Sequence, residues 1–271
     1  MRLGRILCAA LFWLGFSTVG AQAPDTVIVE SGGLKLRALL WRPAGSGPFP
    51  AVLFSHGSGP QTQVHRPRTL GPVFSAHGYV FLYLYRRGSG LSADQGSNSE
   101  VLMNRERDAK GAQARNQLQL RLLDSELDEV TAGVALLRRL PEVDPQRVAI
   151  VGYSFGGSLT LLAAERDSTL RAIVLFAGAA GSWDGSPKLQ ARLTEAVRRA
   201  RVPVFFAYAA NDYSVAPLTA LSGELAKLGK PYGAKIYPAV GRTPAEGHDF
   251  IYSSVAVWER DVFAFLAERM R

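Results

Sequence analysis

The segment Gly152-Tyr153-Ser154-Phe155-Gly156-Gly157 follows a short apolar run, Val148-Ala149-Ile150-Val151, and opens a stretch with helical spacing. A Gly-x-Ser-x-Gly set between strand and helix forces a sharp turn that lifts the central hydroxyl clear of the sheet. Ser154 is therefore the candidate nucleophile. The Phe155 N–H, first in the new helix, is placed to stabilise a developing oxyanion. A serine hydroxyl is hardly ionised near neutral pH and needs a base. The chain has four histidines to choose from. His77, in Ala76-His77-Gly78-Tyr79, falls before a strand, at the wrong sheet edge. His65 lies in a polar loop, and His56 begins a Gly-rich turn better suited to shaping a loop than to moving protons. His248 follows the last expected strand and precedes the last helix, within reach of a serine at the carboxyl edge of the sheet, so it is the candidate base.

The base in turn needs a carboxylate to orient it. Asp212, in Asn211-Asp212-Tyr213, directly follows the run 202–208 and so belongs to the same sheet edge. Asp184 and Asp249 are the competitors, and capping the next helix is the alternative role for Asp212. The order Ser, Asp, His along the chain favours Asp212. The second oxyanion donor is expected from the loop Phe54-Ser55-His56-Gly57-Ser58-Gly59, where glycines let backbone N–H groups turn inward. Ser58 is the first choice and Gly57 the next.

These residues need elements to hold them. Strands are expected at 27–29 and 34–40, at 51–54, 79–85, 148–151, 172–176, 202–208 and 234–237. Helices are expected at 69–77, 155–166, 187–200, 215–228 and 255–269. From Leu118 the apolar spacing of Leu127, Val130, Val134 and Leu137 argues a further helix, ended by Pro141. Short links and strict alternation imply an α/β fold: one domain, a mostly parallel central sheet and helices on both faces. Residues 88–117 stand apart, being Gly-, Ser-, Asn- and Gln-rich. They read as a mobile excursion or as the solvated start of the long helix, and the part over 92–117 is expected to cover the active-site mouth.

The chain has 271 residues, 47% of them hydrophobic, which excludes a mostly disordered protein. One Cys excludes a disulfide framework and Cys-rich metal sites, and the histidines lack metal-ligand spacing, so no metal or cofactor is expected. The formal net charge is +8. Its Arg138-Arg139 and Arg198-Arg199 runs fall on amphipathic patterns without interleaved aromatics, which argues for solvated faces and against a nucleic-acid partner.

Residues 1–21 read as a secretory signal: Arg2 and Arg5, an apolar core, then small residues. Cleavage is expected after Ala21, with Ala23 as the alternative. The apolar stretch is shorter than the roughly 20 residues of a spanning helix, so no membrane span is expected after signal removal. The mature domain, 22–271, would be periplasmic or secreted. It would lose Cys8 and keep 29 basic against 23 acidic residues.

The block 54–59, Tyr85-Arg86-Arg87-Gly88-Ser89-Gly90-Leu91-Ser92, Leu140-Pro141-Glu142-Val143-Asp144-Pro145, the turn at 152–157, Asn211-Asp212 and Gly247-His248-Asp249-Phe250 together resemble the α/β-hydrolase superfamily, in its dienelactone-hydrolase-like branch. The resemblance implies Ser154 as nucleophile, Asp212 as acid, His248 as base, and Ser58 and Phe155 as oxyanion donors. Dienelactone hydrolases proper use cysteine at the turn. Serine here favours a general carboxylesterase acting on small esters or lactones through an acyl-enzyme. Peptidase or acyltransferase chemistry is the neighbouring alternative, and a non-catalytic binding protein on the same scaffold is the rival. Arg86 and Arg87 follow a strand end, where they either pair a substrate carboxylate or brace the loop. Gly57 and Tyr153 are further candidates for substrate contact.

Overall fold

The computed structural model describes residues 23–271. The expected signal segment lies outside the described residues. Eight strands form one sheet in the order β1-β2-β4-β3-β5-β6-β7-β8. They are β1 (Asp25–Ser31), β2 (Leu34–Trp41), β3 (Phe49–Ser55), β4 (Val80–Leu84), β5 (Val143–Tyr153), β6 (Ala172–Phe176), β7 (Val204–Ala209) and β8 (Tyr232–Tyr237). Only β2 pairs antiparallel with its neighbours; from β4 onward the pairing is parallel. The helices are α1 (His65–Ala76), α2 (Ser99–Arg139), α3 (Phe155–Arg166), α4 (Pro187–Arg199), α5 (Ala216–Lys227), the short α6 (Pro244–His248) and α7 (Phe250–Ser253), and α8 (Val255–Arg269). The mostly parallel α/β sheet expected from the alternation is present.

The central strands β4, β6 and β7 are buried along their whole length, as strands covered on both faces must be. Their period-2 geometry splits the core in two. Leu53, Ile150, Ile173 and Phe206 face one side with α2 to α5, whereas Phe54, Val151, Val174 and Phe176 face the other with α1 and α8. The edge strand β8 alternates instead, leaving Tyr232 and Ile236 exposed. Because β3, β5, β6, β7 and β8 run parallel, their carboxyl ends share one edge, and Ser55, Gly152 and Leu175 lie side by side across it. Among the described residues, no helix is long and apolar enough to cross a membrane.

Two elements differ from the sequence expectation. Helix α1 begins at His65 rather than 69, because Pro67, Leu70 and Phe74 already keep helical spacing on its buried face and a proline in the first turn loses no hydrogen bond. Residues 88–98 are no excursion. Arg37 on β2 pairs with Asp94 at 2.5 Å, and the Arg37 N–H donates to Ser92 Oγ at 2.8 Å, pinning this loop to the sheet. At Asn98 the chain turns helical: its side chain caps the Glu100 and Val101 N–H groups at 3.0 and 3.3 Å. Helix α2 then runs to Arg139, broken only at Gly111, where φ is 84° and ψ 178°. That conformation is open essentially to glycine alone. Before the break the helix is a polar arm; after it, the apolar stripe packs on the sheet.

Candidate active site

Strand β5 ends in the expected turn. Ser154 has φ 55° and ψ −117°, a conformation that costs a non-glycine residue about 1–3 kcal/mol. Tight surroundings hold it there. A Cβ on Gly156 would lie 2.0 Å from the Ser55 carbonyl oxygen, and one on Gly152 would lie 2.2 Å from Thr160 Oγ1. Strand β3 and helix α3 can approach this closely only over bare backbone, so the turn cannot relax sideways. The Ser154 N–H donates to the Phe176 carbonyl at 2.9 Å, tying the turn to the next strand.

His248 ends the five-residue α6, whose start is locked by a reciprocal cap between Thr243 and Glu246. Asn211, beside Asp212, staples this loop to the end of β7: its amide donates to the Val240 and Thr243 carbonyls at 2.8 and 3.0 Å and accepts from the Val240 N–H at 2.9 Å. The two loops therefore bring their functional side chains together. Asp212 Oδ1 accepts from His248 Nδ1 at 2.7 Å, and His248 Nε2 lies 2.9 Å from Ser154 Oγ. With the proton held on Nδ1 by the carboxylate, Nε2 is the acceptor for the serine hydroxyl. Asp212 does not cap α5, whose N-cap position is Val215 and which has no side-chain cap. The Tyr153 and Tyr213 rings lie 5.0 and 5.1 Å from the imidazole and limit its swing.

The competing residues point elsewhere. Asp184 is exposed. Asp249, next to His248, turns away to accept from Tyr153 OH and, at 2.7 Å, from Arg66 Nη2. Burial and that carboxylate push the Tyr153 phenol well above its ordinary pKa, so it stays a neutral donor. His77 pairs with Glu259 at 2.8 Å, and His65 is exposed.

His56 is fully buried. Its Nδ1 donates to the Gly57 carbonyl at 2.7 Å, and its Nε2 accepts the Arg86 N–H at 3.1 Å. Burial first, and then the Arg86 charge, hold its pKa well below the ordinary 6.5. It is a neutral brace with no nitrogen free to serve as a base.

Of the two roles expected for Arg86 and Arg87, bracing the loop is the one found, and neither lines the cavity as a substrate contact. The Arg86 side chain is 1% exposed and donates to Glu126 at 2.7 Å, Ser55 Oγ at 3.1 Å, the His56 carbonyl at 2.7 Å and the Gly57 carbonyl at 2.9 Å. Arg87 is engaged with buried Glu129 and with the Ser125 carbonyl. Both turn back from the strand end because α2 supplies these two buried carboxylates beneath them.

The Arg86 bonds also set the loop 56–59, where the second oxyanion donor is expected. Peptide units are planar and trans, so a C=O and the following N–H point in opposite directions. Arg86 and His56 draw the Gly57 carbonyl into the interior, so the Ser58 N–H is turned outward, towards the cavity that Ser58 lines. The Ser58 carbonyl is held by Asn98 Nδ2 at 3.0 Å. Among the described residues neither the Ser58 nor the Phe155 N–H has a protein acceptor.

Ser154 and His248 open into a cavity of about 370 Å³ lined also by Gly57, Ser58, Gly59, Tyr153, Tyr213 and Asp249. The sequence reading missed Arg66, Glu100, Gln61 and Gln63, which complete its wall. No motif marked them; they arrive through the loop before α1, the start of α1 and the start of α2. Of the cover expected over 92–117, only Glu100 reaches the cavity. The arm turns helical at Asn98 and runs off along its own axis. Among the described residues, no group of three or more His, Cys, Asp or Glu is arranged to hold a metal ion.

Residues 36–258 match the family model described as "Dienelactone hydrolase family". The chain belongs to the dienelactone hydrolase family. It carries serine at the turn where dienelactone hydrolases proper carry cysteine. A dienelactone hydrolase from Anabaena variabilis superposes with a TM-score of 0.62 at 18% identity, over 92% of this chain and all of that one. Est1E from Butyrivibrio proteoclasticus, solved with ferulic acid, gives 0.66 at 17% identity over 90% and 98%. A puromycin-hydrolyzing peptidase from Mycobacterium tuberculosis gives 0.68 at 18%, covering 93% of this chain and 40% of the peptidase. Identities this low establish the shared fold alone. The quorum-quenching protein AidA of Acinetobacter baumannii is 32% identical over 153 residues, 56% of this chain, and the match spans less than half of that protein, 43%.

Proposed function

We propose that this dienelactone hydrolase family member is an exported serine hydrolase that cleaves small carboxylic esters or lactones. The observation that carries the reading is the unbroken relay Asp212–His248–Ser154, at 2.7 and 2.9 Å, opening into a cavity. In the first half-reaction Ser154 Oγ attacks the ester carbonyl carbon while His248 Nε2 takes its proton. The carbonyl oxygen becomes an oxyanion that accepts from the Ser58 and Phe155 N–H groups. The C–O bond to the alcohol then breaks, and His248 returns the proton to the departing oxygen. In the second half, His248 deprotonates a water that attacks the acyl-enzyme, and Ser154 leaves with the proton as the acid is released. A lactone is an internal ester and follows the same steps, its alcohol staying tethered to the acid. Asp212 holds the imidazole tautomer and stabilises the imidazolium.

The test is labelling of the purified protein with a fluorophosphonate probe alongside hydrolysis of p-nitrophenyl acetate and butyrate. Labelling should vanish in Ser154→Ala and His248→Ala, and Asp212→Asn should lose about 10⁴-fold in kcat. A folded wild type that neither labels nor hydrolyses would point to the binding-protein alternative. Export is tested separately, by the N-terminal mass of protein recovered from the periplasm or medium: a start at Gln22 supports it, and an intact Met1 form opposes it.

A further inference from the structure

We infer that Glu100 makes the cavity selective for substrates that carry a cationic group, an ammonium or quaternary ammonium on the acyl or alcohol side. This rests on the ester-hydrolase reading above. The cavity wall holds three charged side chains, Arg66, Asp249 and Glu100. Arg66 and Asp249 neutralise each other at 2.7 Å, and Arg66 is further committed by its guanidinium packing over the Tyr252 ring at 4.6 Å. Glu100 has no ion-pair partner among the described residues. Arg115, near enough to feel its charge, donates to Gln119 at 2.7 Å and Asn116 at 3.1 Å instead. The one uncompensated charge on the wall is therefore negative.

Its place in the fold is set from both sides. The Glu100 N–H donates to the Ser58 carbonyl at 3.3 Å, and a Cβ on Gly59 would lie 3.4 Å from Glu100 Oε2. The carboxylate thus lies against the oxyanion loop, beside the point where the reacting carbonyl would be held. A cation on the substrate gains a partner there, and a substrate carboxylate meets repulsion. The chain as a whole is basic, with a formal +8, so its long-range field favours anions. A preference for cations could then come only from a local charge.

The experiment compares isosteric pairs: choline butyrate against 3,3-dimethylbutyl butyrate, and the p-nitrophenyl ester of trimethylammoniobutyrate against its tert-butyl isostere. Wild type should favour the cation by about fivefold in kcat/KM in at least one pair, the size of one partly exposed ion pair. Glu100→Gln should bring that ratio close to one, and Glu100→Lys should invert it. Equal rates within both pairs, or a preference unmoved by Glu100→Gln, would overturn the inference. Calorimetric binding of the same pairs to Ser154→Ala protein separates the two readings. Cation preference in binding with no turnover by wild type would leave Glu100 standing and remove the ester-hydrolase reading. Turnover with no charge preference in rate or binding would do the reverse.

Discussion

The floor of the cavity, at the ends of β3 and β5, is sterically closed, whereas its rim, formed by the start of α1 and by Glu100 at the root of the α2 arm, is charged. On the floor each group is restrained several times over. Ser154 is confined by backbone packing at Gly152 and Gly156, and the oxyanion loop is clamped by a fully buried arginine. Along the arm beyond the rim, Met103 is the only buried residue from 101 to 113, and Gly111 interrupts the helix with open space around it. Where a reacting atom must be held to a fraction of an ångström, packing and buried hydrogen bonds do it. Where only the substrate's charge and size need to be sensed, one half-buried carboxylate suffices.

Substituting glycine on each side is the sharpest way to break that contrast. Gly156→Ala should prevent folding or leave an insoluble protein, because its Cβ would sit 2.0 Å from the Ser55 oxygen and backbone cannot step aside. Normal expression with an unchanged melting temperature would show that the floor is looser than its contacts imply. Next in size is Arg86→Met, which leaves Glu126 charged and buried and should cost about 3–5 kcal/mol in urea unfolding. It should also lower kcat more than it alters KM, since the Ser58 N–H loses its aim. Loss of stability with kcat intact would separate the clamp from the chemistry. On the arm, Gly111→Ala meets no neighbouring atom and should cost about 1–3 kcal/mol, from its φ of 84° alone, with the protein still folded.

The smallest effect is the acid sensitivity of the floor. His56 stays neutral when folded, its pKa held well below 6.5, whereas an unfolded histidine takes a proton near that value. Its contribution to stability is therefore complete above pH 6.5 and falls as pH drops towards the lowered folded value. Between about pH 6.5 and pH 5, wild type should lose about 1–2 kcal/mol more than His56→Gln does. Equal slopes in the two proteins would mean that His56 titrates freely in the folded state.

Much of the floor was legible in the sequence and little of the rim. The Gly-x-Ser-x-Gly turn, the chain order of Ser154, Asp212 and His248, and the apolar runs of the central strands are local patterns imposed by local geometry. Asp212 was separable from Asp249 by its position after β7. The role of Asn211 as a staple was not, because a side chain bonding three groups some 30 residues away leaves no periodic trace. Arg86 and Arg87 were left between bracing and substrate contact for the same reason: their carboxylates, Glu126 and Glu129, lie 40 and 42 residues on, along a helix whose register against the sheet no short motif reports.

The sequence alone was enough to single out Ser154, His248 and the parallel sheet beneath them, since each follows from residue spacing and short-range sterics. Tertiary structure alone decided which arginine braces and which faces the cavity, and that Glu100 is left without a counter-charge. Charge pairing depends on distances through space between segments remote in the chain, and those distances exist only once the sheet has closed its core.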